Sequence, residues 1–156
     1  MEINLLTPED DKEAVEFCRT IYLEMGFPLH TLPPTIAQLF NETGDVFATA
    51  KQDGEIIGTA GFLRLSHEDA LIKRFYLSKQ VRGSGLASEM FTFLVKKARS
   101  MGYSTLLLDV QKTNKRAIRF YEKEGMKEFS IVSPRPRWEG SSLERQKTDR
   151  YFHLVL

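Results

Sequence analysis

The stretch that most restricts the possible folds of this chain lies between residues 70 and 110. The strand-forming run ALIKRFYL, at residues 70–77, leads into a turn with two glycines, and residues 86–101 then carry apolar side chains at helical spacing. A near-continuous apolar run, YSTLLLDV at residues 103–110, follows, as in a buried parallel strand. The pattern predicts a strand–helix–strand unit and therefore a mixed α/β architecture.

The rest of the chain predicts further strands and helices around this unit. A first helix is predicted from Thr7, as its N-cap, to Gly26, and a short second helix at residues 35–41. Asn114 and Gly125 are predicted to bound a later helix. Strands are predicted at residues 2–6, 45–51, 55–65, 127–132 and 151–156. No linker or repeat divides the chain, which predicts a single domain over residues 1–156.

Charge is distributed unevenly, although the net charge of the 156 residues is only +1. Residues 1–69 hold 13 acids and 4 bases, whereas residues 70–156 hold 8 acids and 18 bases. The basic half indicates either an anionic ligand or one of two complementary faces of the fold. With 42% hydrophobic and 28% charged residues, the composition excludes an intrinsically disordered chain.

Several classes of site lack support in the sequence. Cys18 is the one cysteine, so neither an internal disulfide nor a cysteine-based zinc site can form, and the three histidines show no metal-ligand spacing. No apolar run approaches the roughly 18 residues of a membrane span, and the N-terminus lacks the basic region of a signal peptide. We expect a cytoplasmic protein without a metal, a membrane contact or a nucleic-acid partner.

The segment Leu77 to Ala87, LSKQVRGSGLA, combines a strand end, a glycine-containing turn and a helix start. Free N–H groups and the positive end of the helix dipole favour an anion there, and glycines allow close approach of a phosphate. A Rossmann fingerprint needs a third glycine where Ser88 stands, and a P-loop needs Gly-Lys-Ser/Thr. An ordinary glycine-containing loop before a helix is the remaining alternative.

Two motifs in this sequence resemble those of the GCN5-related N-acetyltransferase (GNAT) family. Residues 82–87, RGSGLA, match every fixed position of Gln/Arg-x-x-Gly-x-Gly/Ala. A second block of the type Asn-x-x-Ala-x-x-Phe-Tyr-x-Lys-x-Gly-Phe follows the next predicted strand, with Met126 in place of the final Phe. Its matching residues are Asn114, Ala117, Phe120, Tyr121, Lys123 and Gly125. The resemblance covers residues 45–132 well and residues 1–44 loosely.

The resemblance implies one N-acetyltransferase domain, with a central, mixed, mostly antiparallel sheet flanked by helices, and acetyl-CoA as co-substrate. It implies that the loop amides hold the pyrophosphate of the cofactor, at Arg82, Gly83, Ser84, Gly85, Leu86, Ala87 and Ser88. It implies that the end of the fourth strand lends backbone groups to the pantetheine and thioester, at Phe75, Tyr76 and Leu77. It implies that the second motif lines the CoA arm, at Asn114, Ala117, Phe120 and Lys123.

The resemblance also implies that Tyr121 lies near the CoA sulfur, at the position of the family's general acid. Attack of an amine on a thioester builds negative charge on the carbonyl oxygen, which a backbone N–H at the strand end can stabilise. The departing thiolate needs a proton, and a tyrosine hydroxyl is a credible donor. Packing of the Tyr121 ring in the core is the alternative role.

The sequence departs from the family at Leu71, where many members carry a glutamate as general base. Glu24, Glu68 and Asp69 are other carboxylates near the expected site, and water chains are another route for the proton. The acceptor site is expected to involve Glu24, Phe27, Arg74 and Trp138. Arg74 and the Arg135/Arg137 pair can bind an acceptor carboxylate. Trp138 can either cover a substrate or shield the core.

The leading hypothesis is therefore transfer of an acetyl group from acetyl-CoA to a primary amine of a small molecule, amino acid or peptide, by direct transfer in a ternary complex. A non-catalytic acyl-CoA-binding sensor is the main alternative, because Leu71 replaces the usual base. A nucleic-acid-binding protein would show steeply salt-dependent binding, but no aromatic–basic motif supports it. Homodimers are common in the family, so a homodimer is a further expectation.

Overall fold

The computed structural model describes residues 1–156, which form seven β-strands and three α-helices. The strands are β1 (Glu2–Leu5), β2 (Val46–Gln52), β3 (Glu55–Arg64), β4 (Asp69–Leu77), β5 (Thr105–Gln111), β6 (Lys127–Phe129) and β7 (Asp149–Val155). The helices are α1 (Asp11–Met25), α2 (Leu86–Ser100) and α3 (Lys115–Lys123). Short 3-10 turns fill several of the connections between them.

The strands form one mixed sheet in the order β1-β2-β3-β4-β5-β7-β6. Strand β4 pairs with β5 in parallel, from Asp69↔Thr105 to Leu71↔Leu107. The pairs β1–β2, β2–β3, β5–β7 and β6–β7 are antiparallel. The predicted fold class is therefore confirmed: a mixed, mostly antiparallel sheet with helices, containing the β4–α2–β5 unit that residues 70–110 indicate. No helix has both the length and the apolar character that a membrane crossing needs.

Contacts divide the chain into two compact units, residues 1–62 with 73–94 and residues 63–72 with 95–156. In the first unit, α1 buries the face carrying Ala14, Val15 and Cys18 against Ile36 and Phe47. The buried residues of this face recur along the chain at the spacing of an amphipathic helix. Gly26 ends α1 in the left-handed conformation, with φ of 74° and its N–H bonded to the Tyr22 carbonyl.

Gly61 shows how closely the first unit packs. A Cβ at this position would lie 2.6 Å from both the Phe40 ring and the Val46 carbonyl oxygen. No side chain fits there without displacing backbone, so glycine is required in β3 at this point.

Two predictions at the N-terminal end of the chain need correction. Helix α1 begins at Asp11 rather than just after Thr7, because residues 8–10 form a separate 3-10 turn; Thr7 donates its hydroxyl to Asp10 instead of capping a backbone N–H. The predicted helix at residues 35–41 is only the 3-10 turn Ile36–Gln38. Its first N–H groups, of Ile36 and Ala37, donate to the Asp11 carboxylate at 2.8 and 3.0 Å. This long-range contact ties the turn to the start of α1.

In the second unit, a core cluster joins Leu71 and Leu107 to Trp138 and Tyr151. Helix α3 begins as predicted, because the Asn114 side chain accepts a hydrogen bond from the Ala117 N–H at 3.2 Å. Strand β6 is shorter than predicted and ends at Phe129, where its pairing with β7 stops at Phe129↔Tyr151. The residues that follow line a surface cleft instead.

The polar stretch at residues 134–148 contains two 3-10 turns and is held by its own hydrogen bonds. The Ser141 hydroxyl donates to the Trp138 carbonyl at 2.6 Å and accepts from the Arg135 N–H at 2.8 Å. The Tyr151 hydroxyl donates to the Gly140 carbonyl at 2.6 Å. Arg145 bridges Asp109 and Asp149, at 3.1 and 2.7 Å. The stretch is therefore an ordered part of the second unit despite its irregular backbone.

Candidate active site

The turn between β4 and α2 presents free backbone N–H groups beside a helix N-terminus. Gly83 and Gly85 adopt φ angles of 81° and 92°, a region that other residues occupy only at a cost. A Cβ at either position would meet nothing within 4 Å, so the backbone is open on that side. The N–H groups of Gly83, Gly85, Ala87 and Ser88 find no acceptor within the protein. This arrangement suits an anion that accepts several hydrogen bonds.

Ser78, between β4 and this turn, adds a second sign of a ligand. Its hydroxyl oxygen is buried and has no hydrogen-bond partner, whereas its N–H donates to the Ile57 carbonyl at 2.8 Å. Buried hydroxyls are almost always paired, and leaving one unpaired costs free energy. A polar ligand at the end of β4 would satisfy it. The chain's own residues here thus fit the phosphates and amides of a CoA molecule.

Arg82 begins the glycine-containing motif, but its side chain turns toward the protein. The guanidinium donates to the Leu77 carbonyl through Nε at 3.2 Å and Nη2 at 3.1 Å. Its Nη2 also lies 2.6 Å from Glu24 Oε2. Arg82 therefore connects the end of α1 to the end of β4 within the first unit, and Glu24, a candidate base, is an ion-paired carboxylate.

Tyr121 lies on α3 in the second unit, where it is half-buried and its ring meets the edge of Phe120 at 5.3 Å. Burial, together with the negative charge of Asp109, raises the pKa of the Tyr121 phenol. The hydroxyl therefore keeps its proton at neutral pH, as a general acid must before the thiolate leaves. Of the other second-motif residues, Asn114 and Ala117 are half-buried and Lys123 is exposed.

Two of the expected acceptor residues, Phe27 and Arg74, come together around Tyr22. The Phe27 ring meets Tyr22 edge-on at 5.4 Å, and the Tyr76 ring does so at 6.3 Å. The Arg74 guanidinium carbon lies 5.5 Å from the Tyr22 ring centroid. Sequence reasoning missed Tyr22 as part of this group, because its helical spacing reads only as a core position. Phe75, Tyr76 and Leu77 lie in the last three positions of β4, as expected.

The position of the missing base is a fully buried leucine. Leu71 is 0% exposed and packs with Leu107 and Trp138. Of the nearby carboxylates, Glu68 is exposed and Asp69 pairs with Arg135 at 2.9 Å.

Trp138 and the two arginines near it are engaged within the second unit. Trp138 is only 2% exposed, and its Nε1 donates to Asp109 Oδ1 at 2.6 Å. This placement favours the packing role over that of a substrate cover. Arg137 donates to the Arg64 carbonyl at 2.8 Å, and the guanidinium of Arg135 faces Asp69.

The second unit also has a surface cleft of about 370 Å³, which sequence reasoning did not indicate. Its lining combines apolar and charged groups that are distant in sequence, among them Asp69, Phe129, Val132, Arg135, Trp138 and His153. No local motif links these residues, so only the fold brings them together.

Comparison with known proteins gives the family. The model of the acetyltransferase (GNAT) family matches residues 13–126. An N-acetyltransferase of Mycobacterium tuberculosis without an assigned substrate is 31% identical over 91 residues, 58% of this chain and 58% of that protein. The human N-acetyltransferase 8B is 30% identical over 92 residues, 56% of this chain and 40% of that protein. The chain thus matches little more than half the length of the mycobacterial relative.

A solved structure supports the same fold over the whole chain. A GNAT-family acetyltransferase from Staphylococcus aureus superimposes with a TM-score of 0.79 at 17% identity, covering 99% of each chain. At this identity the likeness concerns the fold. The family match spans most of this chain and includes both motifs, with the open turn before α2 and the capped helix α3. The chain therefore belongs to the acetyltransferase (GNAT) family.

Proposed function

We propose that this protein is an N-acetyltransferase that moves the acetyl group of acetyl-CoA to a primary amine of a small molecule, amino acid or peptide. The observation that carries the proposal is the turn before α2, where unpaired N–H groups follow the unpartnered Ser78 hydroxyl. Membership of the family supplies the class of reaction. We also propose a cytoplasmic location, with which the free, buried thiol of Cys18 is compatible.

The residues of the first unit would hold the pyrophosphate and the pantetheine. The N–H groups of Gly83, Gly85, Ala87 and Ser88 would donate to phosphate oxygens, since the helix dipole of α2 favours negative charge there. Backbone groups of residues 75–77, at the end of β4, would bind the pantetheine amides and face the thioester. On the second unit, the CoA arm would contact the family's second motif, at Asn114, Ala117, Phe120 and Lys123.

The chemistry requires one new bond and one broken bond. The neutral amine attacks the thioester carbonyl, the C–N bond forms, and negative charge develops on the oxygen, where a β4 N–H can stabilise it. The C–S bond then breaks, Tyr121 donates its proton to the departing sulfur, and the proton that the nitrogen loses as the amide forms returns through water to the Tyr121 phenolate. Direct attack needs no acyl-enzyme, and Cys18 is fully buried, so no cysteine takes part.

The incoming ammonium must lose a proton before it attacks, and this step has no dedicated carboxylate as its general base. Leu71 supplies no base, and Glu24 is ion-paired with Arg82. We propose that water accepts this proton. The fraction of neutral amine then controls the rate, so kcat/KM is expected to rise with pH toward the amine's own pKa.

A pair of glycine variants tests the cofactor site. Gly85→Val and Gly102→Val should strain the backbone to a similar extent, because the φ angles of the two glycines are 92° and 88°. At both positions a Cβ would meet nothing within 4 Å. Only Gly85 lies in the turn before α2, so only Gly85→Val should abolish acetyl-CoA binding measured by calorimetry. Normal binding of acetyl-CoA by Gly85→Val would refute the role of this turn in holding the pyrophosphate. A thermal-shift screen with acetyl-CoA, followed by an amine panel read by thiol release, tests the activity itself.

A non-catalytic acyl-CoA sensor is the second candidate, and the buried Leu71 favours it. A sensor would bind acetyl-CoA with the affinity of an enzyme, yet release no CoA thiol with any amine at any pH. The amine panel separates the two functions.

A further inference from the structure

Arg74 adopts a strained backbone conformation within β4. Its φ is +57°, in the left-handed region that a residue with a long side chain rarely occupies. The Thr59 hydroxyl, which is fully buried, donates to the Arg74 carbonyl at 2.8 Å and helps to hold this conformation. Strain of this kind is typically found at functional sites.

The Arg74 guanidinium lies over a buried aromatic ring and lacks an acidic partner. Its Cζ is 5.5 Å from the centroid of Tyr22, which is only 3% exposed. The side chain is half-buried, and no aspartate or glutamate forms an ion pair with it. A partly desolvated cation without a counter-charge is unfavourable unless an anion forms an ion pair with it.

Three other arginines with the charge to bind a carboxylate are already engaged. Arg82 pairs with Glu24, and Arg135 pairs with Asp69. Arg137 donates to the Arg64 carbonyl. Arg74 is therefore the member of this group whose guanidinium is left for a ligand.

Aromatic side chains surround Arg74 on the first unit. We define the Arg74 cluster as Arg74 with Tyr22, Phe27 and Tyr76, joined by ring contacts of 5.4 and 6.3 Å to Tyr22. Burial raises the pKa of the Tyr76 phenol, so it remains neutral and adds no negative charge beside the arginine. Two members, Tyr76 and Arg74, belong to the same half of β4 whose last residues face the proposed thioester.

We propose that Arg74 binds a carboxylate of the acceptor, so that the acceptor is an amine that also carries a carboxylate, as in an amino acid or a short peptide. This rests on the acetyl transfer proposed above and narrows its substrate class. A guanidinium can hold a carboxylate through two parallel hydrogen bonds. The contact with the Tyr22 ring would help to orient the planar guanidinium for this interaction. Amines of the same length without a carboxylate would lose that interaction.

Matched acceptors test the proposal. Each amino acid is compared with its amide and with its decarboxylated amine, using thiol release at saturating acetyl-CoA and with kcat/KM expressed per neutral amine, because the three amines differ in basicity. The wild-type protein should show a kcat/KM at least about tenfold higher for the carboxylate form, the size of one charge-assisted bidentate contact. Arg74→Asn tolerates the left-handed backbone, because Asn is enriched there, and should remove this preference by raising KM for the carboxylate form alone. Arg74→Lys should restore part of it.

The control variant is Arg19→Asn, an equal loss of charge at an exposed position of α1, which should keep the preference. Equal kcat/KM for all three acceptor forms in the wild-type protein would overturn the proposal. So would an equal loss toward all three forms in Arg74→Asn, which would mark Arg74 as merely structural.

A binding measurement separates this proposal from the proposed activity. Calorimetry with an N-acetylated amino acid, against its amide, reports carboxylate binding without any turnover. Loss of carboxylate binding in Arg74→Asn but not in Arg19→Asn supports the site even if no amine is acetylated, a result that would refute the activity alone. Absence of any difference between acid and amide in the wild-type protein refutes the site.

Discussion

The Ser78 hydroxyl is buried and unpaired at the end of β4, so its removal should have opposite effects on stability and on binding. Ser78→Ala removes a desolvated polar group without breaking a hydrogen bond. We therefore expect the melting temperature of the ligand-free protein to stay the same or to rise slightly. If the hydroxyl is satisfied by the cofactor, the Kd for acetyl-CoA should rise about fivefold to tenfold.

Ser100→Ala is the control for this serine, because Ser100 lies at the end of α2 and its hydroxyl donates to the Lys97 carbonyl at 2.7 Å. It should leave the Kd for acetyl-CoA unchanged. An unchanged Kd in Ser78→Ala as well would remove Ser78 from the cofactor site.

Tyr121 supports a prediction about turnover. Tyr121→Phe keeps the ring but removes the proton that we assign to the leaving thiolate. We expect kcat to fall by at least about tenfold, with little change in the affinity for acetyl-CoA. Steady-state kinetics and calorimetry on the same samples measure both quantities.

Tyr151→Phe is the matched comparison, since it removes a phenol whose hydroxyl donates to the Gly140 carbonyl. That variant should lose stability, by about 1 kcal/mol, and retain the kcat of the wild-type protein. A Tyr121→Phe enzyme with normal kcat would leave Tyr121 with a packing role only.

Single residues also show which parts of the site are visible in the sequence. The glycines of the turn and the Asn114 cap are local features, so their positions follow from neighbouring residues and were predicted correctly. The direction of the Arg82 side chain depends on Glu24, which lies far away in the sequence. The unpaired Ser78 hydroxyl is defined by what surrounds it in the fold, and no spacing rule indicates it.

Helix α1 and the turn before α2 are connected by one ion pair, Glu24–Arg82, at 2.6 Å. Because Arg82 also donates to the Leu77 carbonyl, the pair helps to position the end of β4. Glu24→Gln should cost about 0.5–1 kcal/mol in stability, the range of a partly exposed pair. It should also raise KM for acetyl-CoA about twofold to fivefold while changing kcat less, as expected for a positioning residue.

Glu16→Gln provides the control on the same helix. Glu16 pairs with Arg19 at 3.4 Å and its side chain is 60% exposed, so neither stability nor KM should change measurably. Equal kinetics in Glu16→Gln and Glu24→Gln would show that the α1 connection does not reach the cofactor turn.

Among the secondary-structure elements, predictions succeeded where a pattern is both long and local. The alternation of strands and the amphipathic face of α2 gave the β4–α2–β5 unit within one or two residues. The predicted helix at residues 35–41 was too long: only the 3-10 turn Ile36–Gln38 forms, and the Asp11 carboxylate caps its first N–H groups. Strand β6 was also too long, since apolar residues past Phe129 line a cleft rather than a strand pair.

For the whole molecule, the buried thiol of Cys18 gives a stability prediction with a definite sign. Burial raises its pKa from the ordinary 9.0 to about 11. The thiol ionises at lower pH in the unfolded chain than in the folded protein, so rising pH favours unfolding. Its contribution to the free energy of unfolding is therefore fully present below about pH 9 and declines toward pH 11. The expected loss over that range is about 2–3 kcal/mol.

Chemical denaturation at pH 7, 9 and 10 measures this decline, and Cys18→Ala isolates the thiol. The alanine variant should start less stable, because it leaves a small cavity, but should lose less stability between pH 9 and 10. Tyr76 and Tyr121, whose pKa values are also raised by burial, contribute at higher pH in both proteins. Identical slopes in the two proteins would contradict the role of the thiol.

The charge division of the sequence has acquired a more specific meaning at this scale. The basic residues 70–156 contain both family motifs, yet several of their cations are internal partners: Arg82 for Glu24, Arg135 for Asp69, and Arg145 for Asp109 and Asp149. Only those cations that have no such internal partner are available to attract an anionic cofactor. The count of charges indicated an anionic ligand as one of two possibilities, and the ion pairs decide which cations could meet such a ligand.

The hydrogen-bonded stretch at residues 134–148 has a practical consequence for handling the protein. It contains four arginines and lysines and little regular structure, so it resembles a place where trypsin would cut. However, Arg135 precedes a proline, the residue after Arg137 is the buried Trp138, and Arg145 is bound to two aspartates. Proteases need several residues of extended, mobile chain. The native protein should therefore resist trypsin at these three arginines, and early cutting there would be a simple sign of damaged preparations.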